Sequence, residues 1–408
     1  MPARYATTEA DLLIAGASAR AAAFSVLSAG LKPAALDLFA DEDLAARCVA
    51  MRVARWPGGL AGAARRLPAF PWLYTGGLEN HPRIVDAIAR ERPLWGNSAA
   101  VLRRVRDPRD VAETLRRATI EVPQLRRASD SPPADGRWLI KSTASSGGLG
   151  VHAWDGTVRH RSGKWYFQQR IDGRSIAAVY LGGNSDARLL GVTEQLVGTR
   201  WRGAQPFAYA GSIGPLHPSP RIVAQLETIG SCLAKTYQLQ GLFGVDMIRD
   251  QHGRLWPVDV NPRYPASAEV LELASGVSLI GLHVQACDAG ELPSSRLKRQ
   301  RTCAGKAIVY APCDFVVPRS LNRRWHAAND ARRETGGTPR HWYVGVPPYQ
   351  VADIPAAGTA IPGGSPVVTL IECGDLSTVR GKLRRRASTL RRHLQALGHQ
   401  EPSSLRMP

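Results

Sequence analysis

Gly241-Leu242-Phe243-Gly244-Val245-Asp246, followed thirteen residues after its aspartate by Asp259-Val260-Asn261-Pro262-Arg263, decides how this chain is read. Met247-Ile248-Arg249-Asp250 leads into the polar Gln251-His252-Gly253-Arg254, and Leu255-Trp256-Pro257-Val258 leads out, a strand, turn, strand pattern. Pairing across that turn brings Asp246 and Asp259 together. Carboxylate and amide oxygens are hard ligands that suit magnesium or manganese, and magnesium usually completes its octahedron with water and substrate phosphates. Asp246, Asp259 and Asn261 are therefore candidate metal ligands, and the pattern predicts a nucleotide.

A second stretch lies upstream. Leu139-Ile140-Lys141 is a short apolar strand ending in lysine, and Ser142-Thr143-Ala144-Ser145-Ser146-Gly147-Gly148-Leu149-Gly150 follows as a flexible loop. Glycines let backbone N–H groups approach phosphate oxygens, and a lysine at the entrance adds a point charge. The order differs from a P-loop, whose lysine follows its glycines and opens a helix. Further on, Lys164 to Gly173 reads as an apolar strand ending in the amides Gln168 and Gln169, with Arg170 and Ile171 after them. Backbone groups exposed at such a strand end suit the edge of a purine.

Taken in order, these pieces resemble the ATP-grasp superfamily, the carboxylate-amine and carboxylate-thiol ligases related to biotin carboxylase, over roughly residues 95–295. The resemblance implies that Lys141 touches the ATP phosphates and that Gly147, Gly148 and Gly150 form a mobile lid. It implies further that Gln168, Gln169, Arg170 and Ile171 line the adenine, that Asp246, Asp259 and Asn261 carry magnesium, and that Arg263 faces the transferred phosphoryl group. Two departures stand out. The last-strand acid is Asp259 where the family more often has Glu, and the early lysine expected just before the first lid helix is missing, Arg106 and Arg109 being the two nearest substitutes. Ile14-Ala15-Gly16-Ala17-Ser18-Ala19-Arg20 and the run from Asn261 to Glu269 resemble the ATP-dependent carboligase branch, which implies a role in making a tetrahydromethanopterin-type cofactor.

At 408 residues the chain is long enough for two or three domains. The expected class is α/β, with an α+β catalytic part. A Rossmann-like unit is expected over 1–95, an ATP-grasp domain over 96–295 with its lid at about 120–165, a small β domain over 296–375, and a basic helix and tail over 376–408. The first unit rests on a strand from Asp11, a helix over 19–29 stopped by Gly30, and a strand from Pro33; its Gly16-x-Ser18 turn lacks the third glycine of a dinucleotide fingerprint. Glu79 and Asn80, in a polar stretch after an apolar strand, are read either as reaching the cleft or as a helix start before Pro82. Short strands are expected at 306–310, 342–344 and 366–371. No Met-Lys-Met site for biotin is present.

The formal net charge is +19 and the last helix is intensely basic, so nucleic-acid binding has to be weighed. The aromatics do not alternate with the arginines as a stacking platform would require, and Leu383, Leu390, Leu394 and Leu397 recur at helical spacing. One face docked on the body and one solvated is the better reading. Six scattered cysteines form no Cys-x-x-Cys pair, which points to free thiols. No uncharged apolar run of membrane-spanning length occurs, and the protein is read as cytoplasmic.

The function expected is ligation of a small-molecule carboxylate to an amine through an acyl phosphate, using ATP and magnesium. Carboxylation through carboxyphosphate and a non-catalytic, nucleic-acid-binding protein are the alternatives. Glu269, Thr193-Glu194-Gln195 and Tyr209-Ala210-Gly211-Ser212 are candidate substrate groups, with Glu269 holding the amine; a homodimer is left open.

Overall fold

The computed structural model describes residues 9–157, 165–198, 200–294, 297, 302–334 and 348–398; the strand expected at Trp342-Tyr343-Val344 lies outside them. β1 (Leu12–Gly16), β2 (Pro33–Asp37), β3 (Val49–Arg52) and β4 (Trp72–Tyr74) form a parallel sheet in the order β3-β2-β1-β4. The helix Arg20–Ser28 connects the first two strands. This is the β-α-β start read from the sequence.

β5 (Leu125–Arg127), β6 (Trp138–Ser142), β7 (Val151–Ala153) and β8 (Trp165–Gln169) make a second, antiparallel sheet in the order β5-β8-β6-β7. It carries the lysine and the glycine loop, as a lid would. The largest sheet holds β9 (Arg174–Gly183), β10 (Asp186–Val197), β11 (Tyr209–Gly214), β12 (Gly241–Arg249), β13 (Leu255–Asn261) and β14 (Cys303–Tyr310). After β15 (Phe315–Val316), β16 (Val351–Ala352) and β17 (Ala360–Ile361), β18 (Pro366–Gly374) completes it; the order is β13-β12-β9-β10-β11-β14-β18-β16. The C-terminal strands β14, β18 and β16 thus continue the catalytic sheet, while β15 and β17 pair separately. A β domain expected over 296–375 is hydrogen-bonded into its neighbour for a simple reason: the β11 edge would otherwise expose unpaired backbone groups.

The central strands are buried on both faces, so they read as apolar runs rather than alternating ones. Val179 and Leu181 of β9 pack with Leu12, Ile14 and Ala22 of the N-terminal unit, whereas Ile176, Ala178 and Tyr180 pack with Leu226 and Leu233 of the helix Pro220–Tyr237. Period-two alternation therefore separates two cores rather than core from solvent. The sheet is clamped between them, and this holds the β12–β13 hairpin still.

The basic helix spans Leu376–Gly398. Val379, Leu383, Ala387 and Leu394 are buried on it, and Arg384, Arg385 and Arg392 are exposed. Arg380 donates to Glu194 at 2.5 Å and Arg386 pairs with Glu372. One face is docked and one solvated, as the leucine spacing predicts. Among the described residues no single helix is long and apolar enough to cross a membrane.

Three segments distant in sequence meet at Glu269, which is 0% exposed. It accepts from Arg20, from Lys306 Nζ at 2.9 Å and from the Tyr349 hydroxyl at 2.9 Å, and Arg20 also donates to Asp353 at 2.9 Å. Burial alone would raise the Glu269 carboxyl, yet Arg20 and Lys306 hold it well below the usual carboxylate range. An amine-binding role for Glu269 is corrected here: its oxygens are spent on two buried cations and a phenol. Glu269→Gln should cost about 3 kcal/mol in urea denaturation, because it leaves two buried cations short of a counter-charge.

Candidate active site

A cleft of about 520 Å³ opens between the lid sheet and the β12–β13 hairpin, within the range of small-molecule sites. Its floor is the hairpin. Asp246 lies directly across from Asp259 in the antiparallel register, with a bulge immediately after Asp246. The cross-strand partners in such a pair sit about 4.5–5.5 Å apart at Cβ, so two like charges are held together by backbone pairing. Asn261 Nδ2 donates to Asp246 Oδ2 at 3.0 Å, and Gln195 Nε2 donates to Oδ1 at 2.8 Å. Burial first, and the Asp259 charge second, push the Asp246 carboxyl up to about 6.

These groups fit a hard divalent cation. The donors are two carboxylates facing one another across the hairpin and one amide, all hard oxygen ligands that line the cleft. Among the described residues no cluster of three or more His, Cys, Asp or Glu is found. A stability consequence follows. A carboxyl whose folded pKa lies above its ordinary 3.8 contributes stability that is present at low pH and lost as pH rises through about 6. Asp246→Asn should therefore stabilise the metal-free protein by about 1–2 kcal/mol at neutral pH, after an amide flip of Gln195, and the gain should shrink as urea melts are repeated down to pH 5.

The roof and walls come from the lid. Lys141, opposite Tyr166 in the β6–β8 pair, donates from Nζ to Gln168 Oε1 at 3.1 Å and to the Val258 carbonyl at 3.0 Å. Both partners are neutral. Gly147 and Gly148 take φ of +63° and +77°, conformations that favour glycine. A Cβ on Gly148 would stand 1.9 Å from the Phe207 carbonyl oxygen, so only glycine lets the loop close on the segment before β11. The Tyr209 N–H donates to the Gly147 carbonyl at 2.9 Å on the same contact.

Lys141, Gly147, Gly148, Gln168, Gln169, Arg170, Ile171, Asp246, Asp259, Asn261 and Arg263 all line this one cleft. Gly150 does not. It packs behind the loop against Ser142 and Ser145, and its carbonyl accepts from the Ser142 N–H at 2.9 Å; it stands at the base of the expected lid loop, away from the nucleotide contact expected of it. At the purine-side strand end, the Gln169 and Arg170 N–H groups are already bonded to the Gln124 and Arg137 carbonyls, at 2.8 Å each.

Of the two candidate arginines before the lid, Arg106 faces the cleft. Its Nη1 donates to Asp259 Oδ1 at 2.9 Å and to the Val260 carbonyl at 3.2 Å, and its Nη2 donates to Asn80 Oδ1 at 3.1 Å and to the Ser145 carbonyl at 3.2 Å. Arg109 instead opens the helix Pro108–Arg117, its N–H capped by Asp107 at 2.9 Å. Glu79 and Asn80 occupy a short 3-10 turn, Leu78–Asn80, just before the helix Pro82–Ala89. The helix-start reading holds, whereas Glu79 and Asn80 do not line the cleft themselves and meet it only through the lining residues Arg263 and Arg106. Of the other candidate groups, Gln195 and Tyr209 line the cleft, with the Tyr209 hydroxyl 2.9 Å from Ser212 Oγ. Glu194, paired to Arg380, points away. Sequence reasoning passed over Tyr166 and the Val258 carbonyl, since neither an isolated tyrosine nor a backbone oxygen carries a motif.

The family model for the ATP-grasp domain matches residues 105–267. No curated protein matches the sequence. Among solved structures, the chain is similar to the biotin carboxylase domain of the 2-oxoglutarate carboxylase of Hydrogenobacter thermophilus, with a TM-score of 0.64 and 15% identity over 93% of this chain and 90% of that one. It is similar to the L-amino acid ligase of Bacillus licheniformis, with 0.63 and 14% over 96% and 98%. The N5-carboxyaminoimidazole ribonucleotide synthetase of Thermotoga maritima gives 0.60 and 13% over 93% and 98%. Residues 105–267 match the ATP-grasp domain, and the chain shares the fold of these solved structures over nearly its whole length.

Proposed function

We propose that the protein is an ATP-dependent, ADP-forming ligase that joins a small carboxylic acid to an amine. The observation that carries this reading is the convergence, in one cleft, of opposed Asp246 and Asp259 below and, above, a Lys141 with no ion pair among the described residues. A carboxylate is a poor electrophile at neutral pH. Attack of its oxygen on the terminal phosphorus of ATP makes an acyl phosphate and expels ADP; the amine then attacks the carbonyl carbon, forming the amide and releasing phosphate. Asp246, Asp259 and Asn261 would hold magnesium, which when bound would supply charge neutralisation at the phosphates. Lys141 offsets charge on the moving phosphoryl group, and the Gly147–Gly148 loop keeps water from the activated acid.

Among the described residues the carboxylates lining the cleft are Asp172, paired with Arg170 at 3.2 Å, and Asp246 and Asp259, the metal ligands of this reading. The ligase reading takes an organic acid rather than bicarbonate as the group that is activated. The L-amino acid ligase among the similar structures is consistent with this class, while a place in pterin-cofactor synthesis rests on the sequence resemblance alone.

Pools of acids and amines, screened for magnesium-dependent ADP formation with and without bicarbonate, test the reading. ADP release that needs both an acid and an amine, and ignores bicarbonate, is the expected result. Release that follows bicarbonate would replace the ligase with a carboxylase. Tight, salt-sensitive retention of nucleic acid on filters, with no ADP in any pool, would leave the basic surface as the function.

A further inference from the structure

Glu79 belongs to the N-terminal unit, outside both nucleotide motifs, yet its carboxylate is 2% exposed and ends beside Arg263. Arg263 donates to Glu79 Oε1 from Nη2 at 3.0 Å and from Nε at 3.3 Å, to Asn261 Oδ1 from Nη2 at 2.9 Å, and to the Tyr264 carbonyl from Nη1 at 3.2 Å. A guanidinium has five N–H groups. These bonds leave a single Nη1 N–H for the cleft, so the aim of that one donor is set by how firmly Glu79 holds the rest.

The same Glu79 oxygen is read by the lid. Ser146, next to the glycine pair, donates from Oγ to Glu79 Oε1 at 3.2 Å and accepts from Asn80 Nδ2 at 2.8 Å. Arg106 closes the ring by bonding Asn80, the Ser145 carbonyl and Asp259. Glu79 Oε2, by contrast, is buried with no hydrogen-bond partner. Desolvating a carboxylate while satisfying only one of its oxygens is a costly way to make a structural contact. Burial would raise the carboxyl, but Arg263 and Arg106 hold it below its ordinary value, so it stays ionised at neutral pH.

We propose that Glu79 is a positioning residue that couples lid closure to the alignment of Arg263. With the loop closed, Ser146 and Arg263 share Glu79 Oε1 and the free Nη1 N–H is aimed into the cleft. When the loop lifts, Glu79 loses the Ser146 donor, Asn80 loses its acceptor, and Arg106 loses the Ser145 carbonyl. Arg263 is then aligned only when water is shut out, which suppresses phosphoryl transfer in the open cleft. The catalytic half of this proposal rests on the ligase reading; the clasp itself does not.

Two measurements test it on the full chain. With MgATP alone as probe, Glu79→Gln should lower kcat for slow ADP release by about 10²-fold, the scale of an ångström-level misalignment, while KM for MgATP moves less than about threefold. Glu79→Asp, which restores the charge, should recover at least about tenfold of that loss. A purely structural Glu79 would show unchanged kcat in folded protein, or equal damage from both variants, and either result overturns the positioning role. Hydrogen exchange without nucleotide is the second arm: Glu79→Gln and Ser146→Ala should each speed exchange across residues 143–150 about tenfold, and an unchanged pattern overturns the clasp. Should the wild type neither bind nor turn over MgATP, the ligase reading and the positioning role fall together, and the exchange arm decides the clasp independently.

Discussion

Lys141→Ala is expected to lower magnesium-dependent ADP formation by about 10³-fold while leaving the fold intact. The reason lies in its partners. Lys141 is held by an amide oxygen and a backbone carbonyl, 3.1 and 3.0 Å away, and has no ion pair among the described residues. Its Nζ also stands 5.9 Å from the centre of the Tyr166 ring. A cation supported by dipoles alone lacks the anion that would neutralise it, and a phosphate entering the cleft supplies one. Removing a preorganised charge from a transition state that spreads negative charge over phosphoryl oxygens costs about 10²–10³-fold, and the loss of ground-state binding adds to it. Because the lysine joins no buried ion pair, the melting temperature should stay within a few degrees. Retention of most ADP formation by the variant removes Lys141 from the mechanism.

Asp259→Ala should abolish ADP formation, again by about 10³-fold or more, through two losses at once. It removes a carboxylate from the proposed metal site, and it strips Arg106 of the ion pair made at 2.9 Å. The Asp259 side chain is 41% exposed, and only its Oδ1 is engaged by Arg106, so its second oxygen faces an incoming metal. Asp259→Glu separates these effects. It keeps the charge and lengthens the reach by one methylene, and activity should remain within about tenfold of wild type. A dead Glu variant beside a dead Ala variant would mean that Arg106 geometry, rather than metal binding, governs the site. Metal affinity, read by calorimetry with MgATP, should fall in the Ala variant and survive in the Glu variant.

Much of the site was legible because its residues sit on short, local patterns. A turn of polar residues between two apolar runs forces a hairpin, and hairpin register places Asp246 opposite Asp259 whatever surrounds them. Lysine before a serine-glycine loop likewise places Lys141, Gly147 and Gly148 on one lid edge. Longer-range matters were not legible. Glu269 and Arg20 are 249 positions apart, and nothing local marks either as half of a buried pair, so a free amine-binding acid and a buried ionic hub read identically. The choice between Arg106 and Arg109 was closed for the same reason: three residues apart near a helix start, they differ only in which side of that start meets the lid.

Sequence alone determined which chemical groups are available and in what order: two acids and an amide on a hairpin, a lysine and two strained glycines on a lid, and apolar runs long enough for strands buried on both faces. Those are properties of neighbours along the chain, set by strand periodicity and turn chemistry. Tertiary structure decided which charges are spent and which remain free. Glu269 is consumed by Arg20 and Lys306, Glu194 by Arg380, and Gly150 by the loop's own base, whereas Lys141 keeps its charge for the cleft. The physical reason is that an ion's role is set by what approaches within a few ångströms after packing, and that proximity is created by contacts between segments hundreds of residues apart.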